Sequence, residues 1–436
     1  MQLSIQSSPL YSNLLGDPEL ADLLNASSEV RALIDVEAAL ASAQSAVGMI
    51  PETVGADMTA ALQQVVPDMA SLSQGISDSG VVVPVLLVEL QKHLPQELAQ
   101  WLHWGATSQD IIDTATMLQV SHCVDLLENR LSQLLNALYS QSQTHASTLM
   151  AARTRTQLAT PITLGLRIAQ WAQPLIGLEN ELPALQAKVL KLQLGGAVGA
   201  NTVMTPQAAE VAAHMANALQ LSCVPSWHTD RSSIISLANW LLQICLHTGK
   251  LAKDLMIMSR SDIAEVKAGQ TGGSSTMPHK ANPVKSEMVV AMNTIAQALH
   301  AGICAAASPA EERDGASWTV EWVLLPQLIV TTGCALRHSV ELIESVIAEK
   351  QRLQSSIDKN PQIMSEAASF ALAQHMPRSE AQVLVKQALA SKRPMHLALQ
   401  EQSNFPVDWA SVLDPRSVCT PCQQVSASIF ALRAKT

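Results

Sequence analysis

Charge is scarce in this chain: only 15% of its 436 residues are Asp, Glu, Lys or Arg, against roughly 25% in an ordinary soluble protein. Long helices built from such a sequence have too little polar surface to stand alone in water, which predicts burial against other helices or other chains, and hence an oligomer. Basic residues are scarcer than acidic ones, 27 against 37, for a net charge of −10. That balance excludes nonspecific nucleic-acid binding, which needs a basic face to displace counterions, and any anionic ligand must be held by a local positive cluster. No segment offers ~18 uninterrupted apolar residues, and the N-terminal MQLSIQSSPLYSNLLGDPEL lacks the basic flank and apolar stretch of a signal peptide. A cytoplasmic location without membrane contact is expected.

Cofactor and metal motifs are also missing. GxGxxG, GxxxxGK[ST] and HExxH do not occur, and the twelve histidines form no ligand spacing with an acidic partner. No cofactor and no metal are expected. The seven cysteines are odd in number, and Cys123, Cys223, Cys245, Cys304 and Cys334 sit in apolar helical contexts where a reduced thiol acts as a small hydrophobe. Cys419-Thr-Pro-Cys422 is a lone CxxC without a second pair, and it is given no part in the chemistry.

Glycine and proline are both absent between Gly105 and Pro161, an interval that predicts extended helix. Within it Met117, Val120, Val124, Leu127, Leu131, Leu134 and Leu138 recur at spacings of three and four, a heptad seam. A helix from about Ile111 to Met150 would run roughly 60 Å. Similar stretches lie at 232–268, 284–306 and 335–360, and strand signals are poor throughout. Val81 to Leu90 looks β-like, but Pro84 favours the start of a buried helix. The expectation is an all-α fold with a small N-terminal helical domain (1–110), a central long-helix bundle (111–355) and a small C-terminal helical domain (356–436).

The segment 269–283, GQTGGSSTMPHKANP, gathers three glycines, two prolines, adjacent Ser274 and Ser275, Lys280 and Asn282 between two helical stretches. It reads either as a long turn or as a lid that closes over an anion. Thr107, Ser108 and Gln109 open the long helix, where unpaired N–H groups and the positive dipole end favour an anion. They serve equally as an ordinary helix cap.

GSSTMPHKANP at 273–283 resembles the GSSxMPxKxNP signature of the fumarase/aspartase superfamily. HWGATSQD at 103–110, followed by IIDTA, and MAARTRTQLATPIT at 150–163 resemble that superfamily's other two conserved regions, in the same order and over essentially the whole chain. The resemblance implies a three-domain, all-α homotetramer with active sites shared between subunits and a small polycarboxylate substrate. Within the superfamily, LHWGATSQDIIDTA, the WHTDR run at 227–231 and EERDGASWTVEW at 311–322 look most like the bacterial 3-carboxy-cis,cis-muconate cycloisomerases. Adenylosuccinate lyases are the nearest competitor, and a silent structural scaffold is a further alternative.

The resemblance assigns roles. Ser274 is the proton-transferring base, its alkoxide stabilised by glycine-flanked N–H groups and Lys280, while Lys280 and Asn282 hold the carboxylate on which charge accumulates. Ser275 joins the same loop, and His279 orients Lys280 or contacts substrate. Thr107, Ser108 and Gln109 become a carboxylate cradle, Thr154 and Gln157 add polar contacts from a second chain, and Arg313 is a further clamp unless its flanking acids neutralise it. His103, His228 and Arg231 are additional substrate-binding candidates.

The informative departure is Arg155, at the place where many of these lyases carry the histidine that protonates the leaving group. A guanidinium of pKa above ~12 cannot do that. A carboxylate, by contrast, leaves as a stable anion of pKa about 4, so lactone chemistry needs no such acid. Arg155 then either meets a substrate carboxylate as a bidentate pair or pairs internally with an Asp or Glu. Leu158 is a second departure from the close relatives.

Overall fold

The computed structural model describes residues 10–267, 272–273, 276–277, 280–391 and 393–433. Helix dominates them. After α1 (Ala26–Ala46) come five helices of 23 to 37 residues: α2 (Ser108–Thr144), α3 (Leu164–Val189), α4 (Ser232–Met258), α5 (Val284–Ala306) and α6 (Gly315–Glu344). The heptad seam of α2 faces inward throughout, with every residue from Met117 to Leu138 on it at most 3% exposed. Shorter helices follow, ending with α7 (Cys419–Phe430). The segment after Val81 is helical as expected, from Val82 to Gln91.

The long helix stops six residues earlier than Met150, at Thr144. Absence of Gly and Pro did not make the rest helical. Instead β1 (Leu149–Thr154) and β2 (Gln157–Thr163) form an antiparallel hairpin, in register from Leu149↔Thr163 to Thr154↔Gln157. Its turn has only two residues, Arg155 and Thr156, at φ 49° and 70°. Two-residue hairpin loops that match strand twist need this left-handed backbone and usually recruit Asn-Gly for it, so an Arg-Thr turn carries no familiar sequence signal. Pro161 is accommodated in β2 where the register shifts opposite Ala151 and Ala152. A second, two-residue pairing joins Val266–Lys267 to Ile347–Ala348.

Packing groups the chain into two compact units, residues 1–129, 181–245 and 292–334 in one, and residues 130–180, 246–291 and 335–436 in the other. Each unit is discontinuous because all five long helices pass from one into the other. In the second unit the C-terminal helices enclose a core around Ile357, Met364, Leu372, Leu399 and Trp409, and Ala151 of β1 is buried in that same core. The hairpin is thereby anchored at its base while its turn is left exposed.

Candidate active site

The turn that leads into α2 is built by close approach. Gly105 has φ 74°, and a Cβ placed on it would meet Met204 Cγ at 2.9 Å, so both backbone and space require glycine. His103, just before it, is also left-handed at φ 61°. Its Nδ1 lies 2.6 Å from Oε1 of Glu37, a fully buried carboxylate on α1. Burial works against the charged imidazole, but the charge and hydrogen bond of Glu37 outweigh it, and the pKa of His103 is raised.

Thr107 and Ser108 do not behave as a simple side-chain cap. The Thr107 backbone N–H donates 3.1 Å to Oδ2 of Asp110, and among the described residues neither hydroxyl has a partner. Both are therefore free to donate at a helix N-terminus. Asp110 is itself fully buried and receives the backbone N–H groups of Gly195 and Gly196 at 2.8 and 2.9 Å. Its remaining donors are Gln193 and His228 Nε2, the latter at 3.0 Å.

Gln109 differs from expectation. It is 2% exposed, its amide nitrogen donates to Asp113 Oδ2 at 3.2 Å and the His228 carbonyl at 3.1 Å, and its Oε1 accepts from Arg313 Nε at 3.0 Å. With both amide hydrogens and its oxygen engaged, Gln109 has no donor left for a substrate. What it does is aim Arg313. That guanidinium also donates from Nη2 to the Ala197 carbonyl at 3.2 Å, and among the described residues it pairs with no carboxylate. Its neighbour Asp314 instead caps α6, where hydrogen bonds from the Ser317 side chain and from backbone N–H groups hold its pKa below the usual range.

Two other candidates also have internal duties. Arg231 is 5% exposed and bridges Asp113 (Nη1–Oδ2 2.7 Å) and Glu321 (Nη2–Oε2 2.5 Å), with its guanidinium over the Trp227 ring at 4.8 Å. Burial opposes its charge, yet the two carboxylates raise its pKa further above the ordinary arginine range. Every nitrogen of Arg231 is hydrogen-bonded to protein, so a substrate contact is corrected to an internal ion triad. His228 is buried with its Nε2 against Asp110, while its Nδ1 has no hydrogen-bond partner among the described residues. Sequence reading missed Asp110, Asp113 and Glu321; the only signal was acidic residues recurring at the apolar spacing of α2 and α6.

In the second unit, Thr154 and Gln157 flank the Arg155-Thr156 turn as register partners, and all four residues are exposed. Arg155 has no ion pair among the described residues. The internal pairing considered for it belongs to Arg153, whose Nη1 and Nη2 meet Oε2 and Oε1 of fully buried Glu265 at 2.9 and 2.6 Å. The hairpin thus has one arginine tied down and another left available two residues later. Leu158 is also exposed.

The 269–283 loop is closed at its base by reciprocal backbone bonds, Gly272 N–H to the Asn282 carbonyl and Asn282 N–H to the Gly272 carbonyl, both 3.0 Å. Lys280 is exposed and without an ion-pair partner among the described residues, and Asn282, one half of this clasp, is half-buried. Ser274, Ser275 and His279 lie outside the described residues. Among the described residues no group of His, Cys, Asp and Glu side chains is arranged to hold a metal. Cys419 and Cys422 are both free thiols at the start of α7, and burial raises the pKa of Cys419.

A family model described as a lyase matches residues 17–298, and the chain belongs to that family, within the fumarase/aspartase superfamily. Among its relatives, the 3-carboxy-cis,cis-muconate cycloisomerase of Bradyrhizobium diazoefficiens is 35% identical over 92% of each chain. The enzyme of the same name from Acinetobacter baylyi is 33% identical over 87% of each. The solved structure of 3-carboxy-cis,cis-muconate lactonizing enzyme from Pseudomonas putida superposes with a TM-score of 0.88 at 28% identity, covering 98% of this chain and 99% of that one.

Proposed function

We propose that this enzyme interconverts 3-carboxy-cis,cis-muconate and a carboxymuconolactone, an intramolecular addition and elimination in aromatic-acid catabolism. Relatives bearing that activity match it over most of their length. The observation that carries the reading is Arg155, a fixed cation at the tip of the β1–β2 turn with no carboxylate partner among the described residues. In the ring-opening direction Ser274 removes the proton beside a carboxylate, the resulting aci-carboxylate is held by Lys280 and Asn282, and the lactone carboxylate departs as the alkene forms. Because the departing group is already a weak base, no proton donor is required where Arg155 stands. Thr107 and Ser108 hold one substrate carboxylate, and Arg313, aimed by Gln109, offers its remaining N–H groups to another.

The enzyme works as a cytoplasmic homotetramer with sites shared between chains. In support, the most apolar stretch of α5 is only 28% buried within one chain, an apolar surface that a second chain covers in a soluble protein, and the cysteines are free thiols. The test is ultraviolet absorbance with the purified enzyme: turnover of the muconate or its lactone supports the reading. Cleavage of adenylosuccinate without muconate turnover replaces it with the C–N lyase alternative. Ser274→Ala should assemble normally and lose turnover, whereas unchanged rates would place the base elsewhere.

A further inference from the structure

The cysteines sort by burial and by company. Cys123, Cys245 and Cys334 have no exposed surface, and burial pushes the thiols of Cys123 and Cys245 up to about 12, which leaves them inert. Cys223 and Cys304 are exposed, but neither has a second cysteine within a helical turn of it in the sequence. Cys419 and Cys422 belong to neither group. Cys419 is partly exposed, and Cys422, one turn on, is 5% exposed.

Both stand in the first turn of α7, which begins at Cys419. Residues three apart on a helix share a face, with Cα atoms about 5 Å apart, inside the ~4.4–6.8 Å range of disulfides. The two sulfurs are near enough to feel each other, since the charge of Cys422 opposes ionisation of Cys419. Their Cβ atoms, about 5–6 Å apart on a regular helix, must close to about 4 Å in a bridge. This turn can yield, because its N–H groups lie outside the helix ladder and Pro421 has no N–H at all. A bridge closed in this way is strained, and is therefore readily reduced again.

The surroundings say what kind of dithiol this is. Burial, Cys422 and Asp414 raise the pKa of Cys419, while Arg416 acts the other way. A catalytic oxidoreductase needs the opposite, an attacking cysteine of lowered pKa, so this pair suits slow exchange with its surroundings rather than turnover. Its place in the fold is specific. Helix α7 packs against β2, and Gln423 Nε2 donates to Ser147 Oγ at 3.2 Å, just before the start of β1.

We propose that Cys419 and Cys422 form a reversible dithiol–disulfide site that exchanges with low-molecular-weight disulfides, Cys419 attacking and Cys422 resolving. The Cys419 sulfur displaces one half of oxidised glutathione and is left joined to the other half. Cys422 then attacks the Cys419 sulfur and the second glutathione departs. The protons of the two protein thiols end on the two glutathione molecules, so two protein thiols are oxidised as one external disulfide is reduced.

The reduced, full-length enzyme is incubated with oxidised glutathione, quenched in acid, alkylated with N-ethylmaleimide and mapped by mass spectrometry. Glutathione retained on exposed Cys223 serves as the internal control for the oxidant. The wild-type segment 419–422 should lose two hydrogens, carry neither maleimide nor glutathione, and take up two maleimides after dithiothreitol. Cys422→Ala should hold glutathione on Cys419, and Cys419→Ser should leave Cys422 free for maleimide. The proposal is overturned if both wild-type thiols are still alkylated while Cys223 carries glutathione, or if glutathione stays on wild-type Cys419. Glutathione on Cys422 in Cys419→Ser, or a bridge that dithiothreitol does not open, also overturns it.

Discussion

Arg313 Nε donates to Gln109 Oε1 over 3.0 Å, joining two residues 204 positions apart in the chain. The amide between them is oriented by what lies behind it, since the nitrogen of Gln109 faces two acceptors, the Asp113 carboxylate and the His228 carbonyl. Its oxygen must therefore face the guanidinium, and Arg313 is held at the opening of α2, where the hydroxyls of Thr107 and Ser108 have no partner among the described residues.

Substituting Gln109 should separate positioning from binding. Gln109→Leu keeps the volume but leaves Arg313 and Asp113 each short of a partner, at a cost of about 1–3 kcal/mol in stability. KM should rise about tenfold or more, with kcat changing less. Gln109→Glu should be more destabilising still, because it sets a second carboxylate against Asp113 even though it offers Arg313 a charge. Denaturant unfolding and steady-state kinetics check this; an unaltered KM in Gln109→Leu would mean that Arg313 does not meet substrate.

His103 and Glu37 give a pH dependence with a definite sign. The pKa of His103 is raised in the folded state by Glu37, against the opposing effect of burial. The pair's contribution is therefore fully present below the unfolded value of about 6.5 and lost as pH rises through the folded value. Unfolding free energies of wild type and His103→Asn, measured from pH 5.5 to 8.5, should converge as pH increases. A difference that grows with pH would contradict the pairing.

The elements that could be read in the sequence are those whose signal is local. The inward seam of α2 from Met117 to Leu138 follows from its spacing alone, and the helix after Val81 follows from Pro84. The β1–β2 hairpin was not legible, because its turn is Arg-Thr rather than Asn-Gly and its strands contain Ala and Arg. Site residues divided in the same way. Thr107, Ser108 and Arg313 could be nominated from residue type and motif, but the consumption of Arg231 by Asp113 and Glu321 depends on contacts 118 and 90 residues distant. Pairing at that separation leaves no periodic trace. The same holds for Glu265, which pairs with Arg153, 112 positions away, and not with Arg155.

That choice yields the sharpest contrast among the arginines. Arg153→Ala strands the fully buried Glu265 carboxylate, and breaking a buried pair of this kind costs about 3–5 kcal/mol, so the variant should unfold at markedly lower denaturant with turnover lost as a consequence. Arg155→Ala removes a side chain that is exposed and unpaired among the described residues, and its stability should stay within about 0.5 kcal/mol of wild type while kcat/KM falls tenfold or more. Arg155→Lys keeps the charge but loses the bidentate fork, and should recover only part of that loss. Stability data alone test the structural half, and kinetics the functional half. If Arg155→Ala matches wild-type kcat/KM on the muconate while Arg153→Ala unfolds as described, then the hairpin is built as observed and its tip takes no part in recognising the substrate.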